Sequence, residues 1–394
     1  MKFVENVNEK TFNDFIKNKN GSFMQTSYFG KINKYKGLNY FLVGLEDNDK
    51  LVASAMILEK HLIGKYNYLY IPRGFITDYK DNKLMDTFTK YLKDFGKKKK
   101  AVFIAIDPEI IISIDDDKKD NLELEFKKLG YKHLGYNYYF ENRQPRFTYR
   151  LTLTEDLFDN FHSTTKKIYK RGNIYNLDIY KGSLKDIDDF HKLMVETGDR
   201  QSAKFFSKDY YYNFYETFNK ENMSDIYIAK AKVGSLKKLY EEELDKIKND
   251  LLKIKNEGKR KDLNDKLAKY QKEYEEISEV KTEEIVLSSI ITVKFNDTVW
   301  TVHGGNSTKL RFLNSNYWVY FKIIEDALKE GYKYADFFGT IGKEDKNSHE
   351  YGIRLFKKRL GGNLLEFIGE FDLVLNKLVY FAYKKVYIKL KYRK

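Results

Sequence analysis

The feature that most restricts this chain is a stretch from Gly234 to about Thr282 in which apolar residues recur every three or four positions. Leu244, Ile247, Leu251 and Ile254 are spaced 3-4-3, and Leu263, Leu267, Tyr270, Tyr274 and Ile277 are spaced 4-3-4-3. A mean period of about 3.5 belongs to a coiled-coil seam rather than to a helix facing a broad core. Asn256-Glu257-Gly258-Lys259-Arg260 lies between the two runs, with Gly258 placed to stop the first helix and turn the chain. The expectation is an arm of two antiparallel helices, roughly twenty residues each and about 30 Å long at 1.5 Å per residue.

The flanking sequence shows what carries the arm. In the first half a helical pattern at Thr11–Asn18 precedes candidate strands Tyr40–Leu45, Leu51–Leu58 and Tyr66–Ile71, a helix near Lys83–Phe95 and the apolar strand Ala101–Ile106. In the second half a helix near Leu184–Thr197 precedes strands Asp225–Ala231, Ile285–Val293 and Thr298–Val302, the last ending at His303-Gly304-Gly305. A helix near Tyr317–Leu328 and the strand Tyr334–Phe338 complete the repeat. This order predicts an α/β protein with mixed sheets covered by helices. Where Glu46-Asp47-Asn48-Asp49 joins two strands of the first copy, the coiled coil joins their counterparts in the second. A hairpin tip accepts such an insertion cheaply because its ends are already close.

Composition removes several chemistries. The 394 residues contain no cysteine, which excludes disulfide scaffolds, thiolate zinc sites and cysteine nucleophiles. No histidine pair has metal-site spacing, so no metal is expected, and no P-loop or dinucleotide fingerprint occurs. The first residues, MKFVENVNEKTFNDF, lack the apolar core of a secretory signal, and no run reaches the roughly 18 apolar residues of a membrane span. A cytoplasmic location is therefore expected. The net charge of +14 points to an anionic partner, or to a Lys-rich coding bias. The excess lies in Lys97–Lys100, in Lys166, Lys167, Lys170 and Arg171, in Arg354–Arg359 and in the tail from Lys384; the arm is nearly neutral apart from Lys259-Arg260-Lys261.

Two tandem copies of this strand order resemble the GNAT acyltransferase fold. A double copy carrying a helical hairpin is similar to the FemABX family of peptidoglycan bridge-forming aminoacyltransferases. The segments that carry the resemblance are Gln25-Thr26-Ser27-Tyr28-Phe29-Gly30-Lys31, Tyr70-Ile71-Pro72-Arg73-Gly74, Ile106-Asp107-Pro108-Glu109 and Thr164-Thr165-Lys166-Lys167-Ile168. Tyr210-Tyr211, His303-Gly304-Gly305, and Leu355-Phe356-Lys357-Lys358 with Gly361 follow in the same order. The resemblance implies transfer of an amino acid from aminoacyl-tRNA to a stem-peptide amine of lipid II or its UDP-linked precursor, without a cofactor. It also implies a first domain at 1–147 completed by 366–394, a second at 148–365, and the arm at 235–282.

An aminoacyl ester is already activated, so such an enzyme must position an amine and stabilise the charge developing on the ester oxygen. By resemblance Lys357 supplies that charge, and Phe356 stacks on the terminal adenine; a lysine on a solvated helix edge is the competing reading. Asp107, at the end of a buried strand, suits binding or deprotonating the amine, or capping the turn at Pro108. Lys31 and Arg73 suit acceptor pyrophosphate contacts. Some family members carry an arginine shortly before the Tyr pair; here Phe205-Phe206-Ser207-Lys208 stands instead, leaving Arg200, Lys204 or Lys208 as substitutes. Tyr211 fits an acceptor pocket or plain core packing, and His303 a pocket lining. Lys166, Lys167, Lys170, Arg171 and Lys358 suit tRNA phosphates. The tail AYKKVYIKLKYRK reads either as an amphipathic helix packed on the first domain or as a peripheral contact with the inner membrane face. Two other classes stay open: an N-acyltransferase using acyl-CoA, for which no convincing Gly-rich pyrophosphate turn is present, and a non-catalytic RNA-binding protein.

Overall fold

The computed structural model describes residues 1–112, 117–139, 143–201 and 205–391. Its strands are β1 (Lys2–Val4), β2 (Asn39–Asp47), β3 (Lys50–Ile63), β4 (Tyr66–Ile71), β5 (Ala101–Ile106), β6 (Ile111–Ile112), β7 (Tyr131–His133) and β8 (Phe147–Thr152). Then come β9 (Asp178–Lys181), β10 (Ile226–Lys232), β11 (Glu284–Phe295), β12 (Thr298–Asn306), β13 (Tyr334–Thr340), β14 (Asn363–Phe367) and β15 (Phe371–Val374). The protein is mixed α/β, as the alternation of patterns predicts. It divides into two compact units: Met1–Leu151 with Asp336–Lys358 and Gly362–Lys394, and Thr152–Ala335 with Arg359–Gly361.

The first unit holds a seven-stranded sheet in the order β1-β2-β3-β4-β5-β15-β7. Asn48 and Asp49 close the β2–β3 hairpin, both with positive φ (49° and 59°), the backbone that a two-residue hairpin turn requires. Strands β4 and β5 are parallel and are joined through the helix Asn82–Lys98, capped by Asp81, whose side chain accepts from the Leu84 amide. That helix turns Leu84, Met85, Phe88, Leu92 and Phe95 onto Val43, Ala55, Leu69 and Ile104 of the sheet. Every residue of β5 is buried, so both of its faces are covered. The C-terminal strand β15 returns antiparallel between β5 and β7. The same unit contains β6, β14, β8 and β13 as neighbours in that order.

The second unit places β12-β11-β10-β9 side by side, with β9–β10, β10–β11 and β11–β12 antiparallel. Its arm consists of helices Val233–Lys253 and Glu257–Ser278, entered and left across the Lys232↔Glu284 pair of β10 and β11. All nine expected seam residues are buried or half-buried, while most of their arm neighbours are exposed. The seam also extends downward through Leu236 and Tyr240, which join Ile277, Val280 and Leu287 in one apolar cluster at the arm's base.

Two local expectations are corrected. Gly258 lies inside the first turn of the second arm helix, because Asn256 caps that helix by accepting from the Lys259 amide at 3.0 Å. The turn is therefore Ile254–Asn256. Strand β12 does not end before His303 but runs through Gly304-Gly305 to Asn306, after a register shift opposite Ile291/Thr292. A Cβ on Gly305 would stand 2.7 Å from a backbone carbon of Leu193, so glycine here admits the helix Ile187–Gln201 against the strand.

Candidate active site

Asp107 follows β5 and is fully enclosed. It accepts from the Tyr70 hydroxyl (2.7 Å), the Arg73 amide (2.7 Å) and the Gln144 amide (3.3 Å). Burial raises its pKa, opposed by the Arg73 charge and by the hydrogen bonds from Tyr70 and Arg73. Arg73 adopts φ +53°, a left-handed backbone that costs a non-glycine residue energy and aims its amide at the carboxylate. The turn is braced by Gln25, which is buried and donates to Pro72 O at 2.6 Å while accepting from the Met56 amide at 2.9 Å. The Arg73 guanidinium points inward: it donates to Pro145 O at 2.6 Å and lies 4.3 Å from the Phe367 ring centre. Lys31 is half exposed and pairs with Glu9 at 2.5 Å.

Beside Asp107 lie charges that no motif announced, at the start of β15 and before β8. Arg143 bridges Glu370 (3.0 Å) and Asp372 (2.8 Å), while Tyr380 donates to Asp372 at 2.8 Å. Burial pushes Glu370 up to about 7, with the Asp107 charge adding to the rise.

Lys357 forms a second centre in the same unit. It lies on the helix Tyr351–Arg359 and is 8% exposed. Its ammonium donates to Gly339 O at 2.6 Å and to Phe338 O at 3.3 Å. Burial lowers its pKa to about 8, partly countered by Asp336. Phe338 has φ +62°, unfavourable for an aromatic residue, and it is held there by Asp336, which accepts from the Phe338 amide at 2.8 Å. Arg150 and Thr148 donate in turn to Asp336. A strained residue within β13 thus sets two consecutive carbonyls of the strand against one buried lysine. Phe356 is half-buried beside it in sequence, and Lys358 is exposed and pairs with Glu344.

In the second unit Tyr211 and His303 come together. Tyr211 is fully buried, its hydroxyl pushed up to about 12 by burial. The His303 ring centre lies 5.2 Å from that of Tyr211 and 4.8 Å from that of Phe214, within a box that includes Phe206 and Tyr210. The helix Ser163–Arg171 presents Lys167, Lys170 and Arg171 outward, whereas Lys166 donates to Asp159 O at 2.7 Å. Arg200 donates to Asn306 O at 3.2 Å, and Lys208 pairs with Asp188 at 3.0 Å. Lys204 lies outside the described residues. Sequence reasoning quoted Gln25 within a segment without giving it a role and missed Asp336, Arg143 and Glu370; only long-range pairing brings them to these centres. Among the described residues no group of three metal-ligating side chains gathers, and no helix is long and apolar enough to cross a membrane.

The lipid II:glycine glycyltransferase of Staphylococcus saprophyticus subsp. saprophyticus is 26% identical over 95% of this chain and 94% of its own length. That of Staphylococcus haemolyticus is 25% identical over 95% and 93%. Among solved structures, FemX superposes with a TM-score of 0.78 at 23% identity, covering 97% of this chain and 99% of its own, a likeness of fold. The FemAB family model matches residues 7–388, and the chain belongs to the FemAB family.

Proposed function

We propose that this protein transfers an amino acid from aminoacyl-tRNA to a stem-peptide amine of lipid II, extending a peptidoglycan interpeptide bridge. Glycine is the first donor to test, because the relatives are named for it. The observation that carries the reading is Lys357: a family enzyme of this kind needs a fixed cation for the developing oxyanion, and a buried ammonium held on two carbonyls is such a cation. The amine attacks the ester carbonyl, the tetrahedral oxyanion forms against Lys357, and collapse expels the terminal ribose oxygen of the tRNA. The amine's proton passes to a carboxylate, for which Asp107 is the proposed acceptor, and a proton is returned to the departing ribose oxygen, which leaves as the tRNA hydroxyl. Arg73 is better suited to orient Asp107 than to grip phosphate, since its side chain is internal.

In the same reading Lys31 contacts the acceptor pyrophosphate, Tyr211 and His303 shape the acceptor pocket, and Phe356 stacks on the terminal adenine. Lys166, Lys167, Lys170, Arg171 and Lys358 meet tRNA phosphates. The proposed domains are 1–147 with 366–394 and 148–365, the arm at 235–282 being an addition to the second; by packing alone Asp336–Lys358 groups with the first.

Purified protein incubated with labelled aminoacyl-tRNAs and either lipid II or UDP-linked muropeptide tests the proposal. Label on the stem peptide is expected. Transfer from acyl-CoA alone, or tRNA binding without transfer to either acceptor, would overturn it.

A further inference from the structure

The C-terminal helix Lys377–Lys391 is anchored by its tyrosines and leaves its other face to solvent. Tyr380 is 7% exposed, packs on Phe103 with ring centres 5.3 Å apart, and donates to Asp372. Tyr383 stacks on the same ring at 6.1 Å, and Lys384 pairs with Asp372 at 3.1 Å. These contacts fix which side faces outward. On that outward side stand Leu378 at 85% exposure, Phe381 at 62% and Val386 at 48%, with Lys377 and Lys385 exposed beside them. The Lys385 ammonium lies 4.6 Å from the Phe381 ring centre.

Lone exposed hydrophobics are ordinary on a protein surface. Here leucine, phenylalanine and valine share one helix with lysines whose stems can lie along apolar surface while their charges reach outward. After Asp372 the sequence contains seven Lys or Arg and no Asp or Glu. An apolar ridge edged only by cations complements a surface with an anionic rim and an apolar interior.

We propose that this helix docks the protein onto a bilayer leaflet containing anionic lipid, Leu378, Phe381 and Val386 entering the acyl boundary and Lys377 and Lys385 meeting headgroup phosphates. The geometry stands without the proposed lipid-linked acceptor; its usefulness rests on that reading, because a docked enzyme meets such an acceptor by search in two dimensions.

The test is co-sedimentation of the full chain with vesicles of phosphatidylcholine alone or mixed with phosphatidylglycerol, all free of peptidoglycan precursors. Binding is expected only with phosphatidylglycerol, weakened by salt. L378D/F381D should lower the partition coefficient by about tenfold or more, and K377E/K385E should abolish the preference for anionic vesicles, both with an unchanged thermal midpoint. Absence of wild-type binding, or equal binding by L378D/F381D, would overturn the proposal. So would a concentration-dependent dimer that only L378D/F381D disrupts, which would make the ridge an interface between copies. Failure of aminoacyl transfer would leave the vesicle result standing, so the two readings fail separately.

Discussion

Lys357 carries opposing demands of stability and chemistry. Its pKa falls from 10.5 to about 8 on burial, which corresponds to roughly 3 kcal/mol of destabilisation at neutral pH. The sign follows from proton counting: between about 8 and 10.5 the unfolded chain binds more protons, so this group's cost is full below that window and fades as pH rises through it. Lys357→Met should therefore lower turnover by well over tenfold, the scale of a lost charge-stabilising contact, without lowering the thermal midpoint at pH 7. Near-normal turnover would remove Lys357 from its proposed role. In the wild type, turnover should decline as pH rises through about 8, because the neutral amine stabilises an oxyanion poorly. Tyr70 gives a second test. Tyr70→Phe deletes a 2.7 Å hydrogen bond to Asp107 that favours the ionised carboxylate. Stability should fall by about 1–3 kcal/mol, and the acid limb of the pH–rate profile should move upward. An unmoved limb would separate Asp107 from proton transfer.

The elements differ in how far their sequence reveals them. Alternating and heptad patterns disclosed the long hairpin strands, the helix Asn82–Lys98 and the arm, because each buries a periodic face by local geometry alone, and β5 was legible as a continuous apolar run. The short strands β7, β14 and β15 were not legible: three to five residues carry no period, and their pairing depends on distant chain. The candidate centres divide the same way. Asp107 and Lys357 stood in recognisable segments, but Asp336 and Glu370 gain meaning only from the strands that bring them to Arg150 and Arg143. His303 illustrates a boundary error, since a glycine pair that reads as a strand end is instead a site of close packing within β12. Gly305→Ala tests that packing. Its Cβ would press on the backbone of the helix Ile187–Gln201, so denaturant unfolding should show a loss of about 1–3 kcal/mol. Wild-type stability would mean the helix can withdraw without cost.

At the scale of the whole molecule, charge and reach are carried by different parts. The chain bears +14, yet the arm is close to neutral outside Lys259-Arg260-Lys261, while exposed cations stand on the helix Ser163–Arg171. If tRNA is the donor, its affinity should fall steeply with ionic strength through that helix, and the arm should act mainly by contact at its tip. Separating these contributions requires care with where the arm is cut. Leu236, Tyr240 and Ile277 belong to the apolar cluster at its base, and Tyr240 donates to Glu273 at 2.9 Å, so excision from Leu236 would open the core of the second unit. Replacing 244–269 by a short turn spares that cluster. This variant should keep the wild-type thermal midpoint and acceptor binding while losing tRNA affinity, and, because it removes the three cations of the tip, the slope of affinity against salt should flatten by up to about two to three units in log–log form. A K167E/K170E variant, with the arm intact, should flatten the slope separately by about one to two units. Unchanged tRNA affinity in the shortened variant would make the arm a structural or oligomerisation element, with tRNA held entirely by residues outside it.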